Sequence, residues 1–182
     1  MKKINYQKLN LYSKENERKL EIKLKRFFWY IFFFPIVKSY LPGSFWRKSF
    51  LILFGSRIGK GCIFKPNLKI TKPWNLYIGN NCWFGESLWI DNIDKVTIED
   101  NVCLSQGVYL CTGNHNYKKK EFNLIKKPIL IKEQSWISSK CFIGPGSIIM
   151  PGTVIKAGSV FSGKTKEGSI YSGNPAIFIK KR

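Results

Sequence analysis

The sequence predicts an all-β chain wound as a parallel β-helix of about five triangular coils, with an α-helical segment ahead of it. Three observations predict this. From Ile58 onward an apolar residue recurs at every sixth position. The residue just ahead of that position's strand is often small, and glycine and asparagine gather between strands. One large interruption breaks the repeat. A six-residue period gives one short strand and one corner per hexad, and three hexads close one coil.

The inward positions come first. They are Ile58, Phe64 and Ile70, then Ile78, Phe84 and Ile90, then Ile98, Leu104 and Leu110, with two extra residues between the sets. After the long interruption Ile131, Ile137, Ile143, Ile149, Ile155 and Phe161 follow without a break. All 15 positions are apolar, where a 44% hydrophobic composition gives about seven. The fifth residue of each hexad is small at Cys62, Cys82, Val102, Val108, Cys141, Ser147, Thr153 and Ser159. Three of the five cysteines therefore read as packing residues. No CxxC pair occurs, the count is odd, and no cleavage-site pattern follows the late apolar run, so free thiols in a reducing cytoplasm are expected. Gly79-Asn80-Asn81 and Gly144-Pro145-Gly146 supply the backbone freedom that corners need.

The interruption runs from Leu110 to Ile131, 21 residues where two hexads need 12. A loop at about 114–128 that breaks a solenoid is a functional candidate. The chain's one histidine, His115, stands at its root in Thr112-Gly113-Asn114-His115. One histidine per chain excludes a multi-histidine zinc site built from that chain, so no metal is expected.

The first 57 residues carry 13 basic and 3 acidic residues, and residues 58–182 carry 18 and 8, each a net +10 within the total of +20. The N-terminal part is about twice as basic per residue. Residues 13–27 are helix formers with Ser13 as N-cap, and Phe27–Val37 is an uncharged run with seven aromatics. This segment is either an interfacial anchor at an anionic membrane surface or a cap on the open first coil. No run of about 18 apolar residues exists to cross a bilayer.

These features resemble the hexapeptide-repeat acyltransferases, whose β-helix is left-handed. The histidine before a projecting loop resembles the maltose and galactoside acetyltransferases. Pro73-Trp74-Asn75-Leu76, Trp89-Ile90-Asp91-Asn92, Val102-Cys103-Leu104-Ser105-Gln106-Gly107 and Leu110-Cys111-Thr112-Gly113-Asn114-His115 resemble the colanic-acid-type O-acetyltransferases of bacterial polysaccharide synthesis. Gly173-Asn174-Pro175-Ala176 is similar to the closing motif of the family. The resemblance spans roughly residues 45–182.

It implies a left-handed helix over 58–182 and transfer of acetyl from acetyl-CoA to a sugar hydroxyl. His115 would be the general base, and the Ser139 amide, after Trp136-Ile137-Ser138, would be the oxyanion donor. Ser138 replaces the family's usual glycine. Glu86, Asp91 and Asn114 would meet the acceptor, although Asp91 equally suits a structural corner. Ser138, Lys156, Lys164 and Lys180 would line the CoA groove, and Lys118, Lys119, Lys120, Lys126 and Lys127 crowd the loop. A homotrimer with sites between subunits is implied. This distribution of charge leads away from nucleic acid. N-acetylation of a nucleotide-linked amino sugar stays open, and a non-enzymatic basic membrane-binding protein is a remote alternative. A γ-type carbonic anhydrase, also a left-handed β-helix, fails for want of histidines.

Overall fold

The computed structural model describes residues 6–12 and 20–182. The expected N-cap Ser13 and the helical residues up to 19 lie outside the described residues.

Three flat sheets of short parallel strands form the sides of a triangular prism. The first face stacks Arg57–Ile58, Leu76–Ile78, Val96–Ile98, Ile129–Ile131 and Ile148–Ile149. The second stacks Ile63–Phe64, Trp83–Phe84, Cys103–Leu104, Trp136–Ile137, Val154–Ile155 and Ser169–Gly173, with Ala176–Lys181 antiparallel at its end. The third stacks Lys69–Ile70, Trp89–Asp91, Tyr109–Cys111, Phe142–Ile143 and Val160–Phe161. Five full coils result, and Lys164 on the first face with Ser169–Gly173 on the second begins another, so the solenoid has about six turns instead of five. The last turn escapes the hexad count because Thr165 and Tyr171, not an aliphatic at six-residue spacing, are its buried residues.

The period-six residues fill the prism. Fourteen of the 15 are buried, and Ile58, in the first coil, is half-buried against the core. Register is strict: Ile78 pairs Ile98, and Ile98 pairs Ile131. Phe64 and Phe84 stack with ring centroids 4.7 Å apart, close to the spacing of neighbouring strands. Two of the three edges turn at a positive-φ residue in every coil, and the third does so at Gly146 and Gly163. Gly61, Asn81, Asn101, Gln134, Gly152 and Gly168 turn the first edge, and Asn67, Ser87, Gly107, Lys140 and Gly158 turn the second. Among the described residues every buried side-chain nitrogen and oxygen has a partner.

Helix α1 (Leu20–Phe28) runs through a π-helical turn, Trp29–Phe33, into α2 (Phe34–Lys38), and α3 (Phe45–Leu53) follows. Trp29, Val37, Leu51 and Phe54 are buried, and the Trp29 indole donates to the Ile70 carbonyl at 3.1 Å. The segment thus covers the open first coil. Fully buried Arg47 holds the link between α2 and α3. Its guanidinium donates to the carbonyls of Val37 (3.3 Å), Ser39 (2.8 Å), Leu41 (2.5 Å) and Gly43, and it lies over the Trp46 ring.

Arg47→Ala deprives those buried carbonyls of their donors and lowers stability by about 3 kcal/mol, read from denaturant unfolding. Burial pushes the Cys82 thiol up to about 11 and raises the Cys141 thiol as well. Both resist a thiol-disulfide reagent at neutral pH in the native protein and react once it unfolds, whereas half-buried Cys62 and Cys111 react first.

Candidate active site

The long interruption is a β-hairpin. Gly113–His115 pairs antiparallel with Leu124–Lys126, so that His115 faces Leu124. It leaves the solenoid at the edge between the third and first faces. The Lys127 amide donates to the Thr112 carbonyl at 3.0 Å and closes its base.

The imidazole of His115 is half-buried and held on three sides. Its ring stacks on Phe122, with centroids 4.4 Å apart and planes 3° from parallel. The Tyr12 ring meets it edge-on at 5.8 Å. Nδ1 lies 2.7 Å from the Phe122 carbonyl oxygen. A carbonyl can only accept, so in the neutral ring Nδ1 carries the proton and Nε2 keeps its lone pair. Phe122 supplies both ring and carbonyl from a φ of +50°, a conformation bulky residues avoid. The Asn114 Oδ1 accepts the His115 amide at 2.7 Å, so that side chain shapes the turn. The segment around Leu9–Leu11 lies along the hairpin, with the Lys8 amide donating to the Lys120 carbonyl at 2.8 Å.

The expected acceptor carboxylates separate. Asp91 ends the third face beside the hairpin, in register with Cys111, and accepts from the Thr71 hydroxyl at 2.9 Å. Glu86 stands at the other edge, between the second and third faces, with its carbonyl accepting from Gly107. Neither carboxylate is a partner of the imidazole.

A groove of about 600 Å³ opens along the second face and that same edge. It gathers Ser138, Ser139, Lys156 and Lys180, with an apolar floor that includes Val154 and Ile170. The Ser138 amide is used in the coil ladder, donating to Ile155 at 2.9 Å. Among the described residues no acceptor is paired with the Ser139 amide, so that donor is available. The turn Gly173-Asn174-Pro175-Ala176 folds the last strand back antiparallel, which carries Ile179 and Lys180 to the groove. Lys164 does not join them: it bridges Ile148 on the first face.

His115 and Ser139 thus occupy different edges of one prism. The sequence pointed to His115 and to the groove residues of the hexads. It did not point to Phe122, Tyr12, or to Trp136 and Ser105, which are tied by a 2.9 Å indole-to-hydroxyl hydrogen bond at the groove wall. The signal for Trp136 was present, since it occupies an outward strand position next to Ser138. Among the described residues no cluster of three metal-ligating side chains exists.

With one histidine in the chain, a long-range proton–nitrogen NMR spectrum needs no assignment. It should show the Nδ1–H tautomer in the neutral ring. An Nε2–H pattern would contradict the Phe122 carbonyl contact.

Comparison with known proteins follows the geometry. No family model matches the chain. Over 85 residues the chain is 38% identical to the putative colanic acid biosynthesis acetyltransferase WcaF of Escherichia coli K12, and likewise to that of Shigella flexneri. The match takes in 47% of this chain and 47% of each relative, so the chain spans about half the length of the curated relatives it matches. Among solved structures it is similar to a maltose O-acetyltransferase from Clostridium difficile 630 (TM-score 0.76, 24% identity, 90% of this chain and 89% of that one). It is also similar to a galactoside acetyltransferase in complex with coenzyme A (TM-score 0.80, 23% identity, 91% and 84%). A third is the hexapeptide-repeat acetyltransferase VCA0836 of Vibrio cholerae complexed with acetyl-CoA (TM-score 0.80, 19% identity, 93% of each chain). At these identities the likeness is one of architecture, and the chain has the stacked-coil fold of the hexapeptide-repeat acetyltransferases.

Proposed function

We propose that the chain is an acetyl-CoA-dependent O-acetyltransferase acting on a sugar hydroxyl in bacterial exopolysaccharide, capsule or lipopolysaccharide synthesis. The observation that carries this reading is the single histidine, fixed on its hairpin with Nδ1 engaged by a carbonyl and Nε2 left as a base. The groove with an unpaired Ser139 amide and two lysines supports it. So do the names of the proteins it resembles, a colanic acid biosynthesis acetyltransferase and structures holding coenzyme A or acetyl-CoA. In this reading residues 58–182 form the catalytic unit, and its setting is the cytoplasm.

Nε2 of His115 takes the proton of the acceptor hydroxyl as its oxygen attacks the thioester carbonyl. The Ser139 N–H faces the oxyanion that forms. Collapse breaks the C–S bond, and the imidazolium returns the proton to the departing CoA thiolate. The products are the acetylated sugar and CoA-SH. The apolar floor of the groove suits the pantetheine arm, and Lys156 and Lys180 suit phosphate. Lys164, on another face, would have to meet CoA held by another copy. Asp91, beside the hairpin, and Asn114, within it, are the nearer candidates for the acceptor, with Glu86 on the groove side.

A cyclic homotrimer reconciles the two edges. It sets the His115 edge of one copy against the Ser139 edge of the next, giving three equivalent sites. The test is complementation. His115→Ala loses at least about 10²-fold in turnover, and Lys156→Glu/Lys180→Glu loses donor binding. An equal mixture of the two inactive chains recovers activity at up to about a quarter of all sites, because each mixed trimer pairs an intact histidine with an intact groove at one of its boundaries. No recovery on mixing would place each site within one chain.

The acceptor is found by following CoA release with nucleotide sugars, lipid-linked oligosaccharides and amino sugars. Acetylation confined to an amine would replace the hydroxyl reading with the N-acetyl one. Unchanged turnover in His115→Ala would remove the base.

A further inference from the structure

The N-terminal helices cover the first coil with one face and leave a second apolar face uncovered. On α1 and the turn after it, Leu20, Leu24, Phe27, Phe28, Ile31 and Phe32 are all exposed. Their spacing is that of one helical stripe. Opposite it lie buried Trp29 and Val37 and half-buried Phe33. Helix α3 repeats the arrangement, with Leu51 buried and Phe45, Ile52 and Leu53 outside; Phe45 is 83% exposed and Leu53 67%. The two stripes meet, because Phe28 and Leu53 line one shallow groove of about 350 Å³ with Lys25 at its rim. Contiguous apolar surface of this kind marks an interaction site.

The surroundings of the patch select its partner. Apart from buried Arg47, residues 20–57 hold six basic side chains (Lys23, Lys25, Arg26, Lys38, Lys48 and Arg57) and one acidic, Glu21. Lys23 and Lys38 are exposed beside the stripe. A second copy of the chain set face to face on the patch is a poor match, since it presents the same positive side chains there. An anionic lipid surface matches both properties: aromatic and aliphatic side chains enter the headgroup boundary while lysines meet lipid phosphate. Among the described residues no helix is long and apolar enough to cross a membrane, which leaves lying on the surface as the mode.

We propose that α1, the π-turn and α3 form a monotopic docking face for an anionic bilayer, in addition to capping the solenoid. This does not depend on the acyl-transfer reading. The test floats the full-length chain with vesicles of phosphatidylcholine alone and with about 30% phosphatidylglycerol. Binding is expected to the anionic vesicles, weakening as salt rises from about 0.1 M to about 1 M. Phe27→Glu/Ile31→Glu changes two exposed side chains, so it keeps the melting temperature while partitioning falls at least about tenfold. The proposal is overturned if the wild-type chain stays with neither vesicle, or if the double variant floats like wild type. It is also overturned if the double substitution disperses an oligomer of a chain that binds no vesicle, which would assign the face to a second copy.

Discussion

Everything in this molecule rests on the in-register stacking of one apolar side chain per six residues inside a prism closed by backbone hydrogen bonds. Strands of two or three residues are too short to persist alone. They persist because each is bonded above and below, and because Ile98, Ile131 and Ile149 occupy one column at strand spacing. The column fixes where each outward side chain and each corner amide stands. The available Ser139 amide is a by-product of that regularity. It is a corner residue whose neighbour, Ser138, spends its own N–H on the ladder.

The same regularity explains what the sequence revealed. The hexads were legible because burial selects one residue class at one phase; Ser138, Ser139 and Lys156, which only the resemblance singled out, share one groove because they stand at corners of successive coils. Lys164 stands on the first face, away from the groove, because the period ends at Phe161. Beyond it the chain reaches the first face in three residues, and periodicity carries no information on that shortcut. Phe122 and Tyr12 were illegible for a different reason. Their contacts with His115 come from a left-handed turn and from a segment more than 100 positions away, neither of which leaves a periodic trace.

The N-terminal segment lies between these cases. Its composition announced basic charge and aromatics, and two roles were open. An uncharged run from Phe27 to Val37 is apolar all round, so helical phase alone cannot say which ring faces inward. The structure divides it: Trp29 is clamped to Ile70, while Phe28 and Phe32 stack on each other outside. Arg47 makes the division firm by tying four carbonyls at the end of α2 and in the link to α3 to one buried guanidinium, with no carboxylate partner among the described residues.

The closure of the hairpin at Thr112 and Lys127 has a wider consequence. The insertion leaves the prism and returns to it at adjacent positions, and Ile98 still pairs Ile131 across it as though the intervening chain were absent. Length and composition inside the hairpin are therefore decoupled from the stability of the coils. Two parts of one polypeptide are thus held to different physical constraints. The solenoid tolerates little beyond the exchange of one aliphatic for another. The appendage bearing His115 can lengthen, shorten or change its lysines over generations while its scaffold stays folded, a division of labour that lets such a chain acquire new chemistry at its rim without reinventing its core.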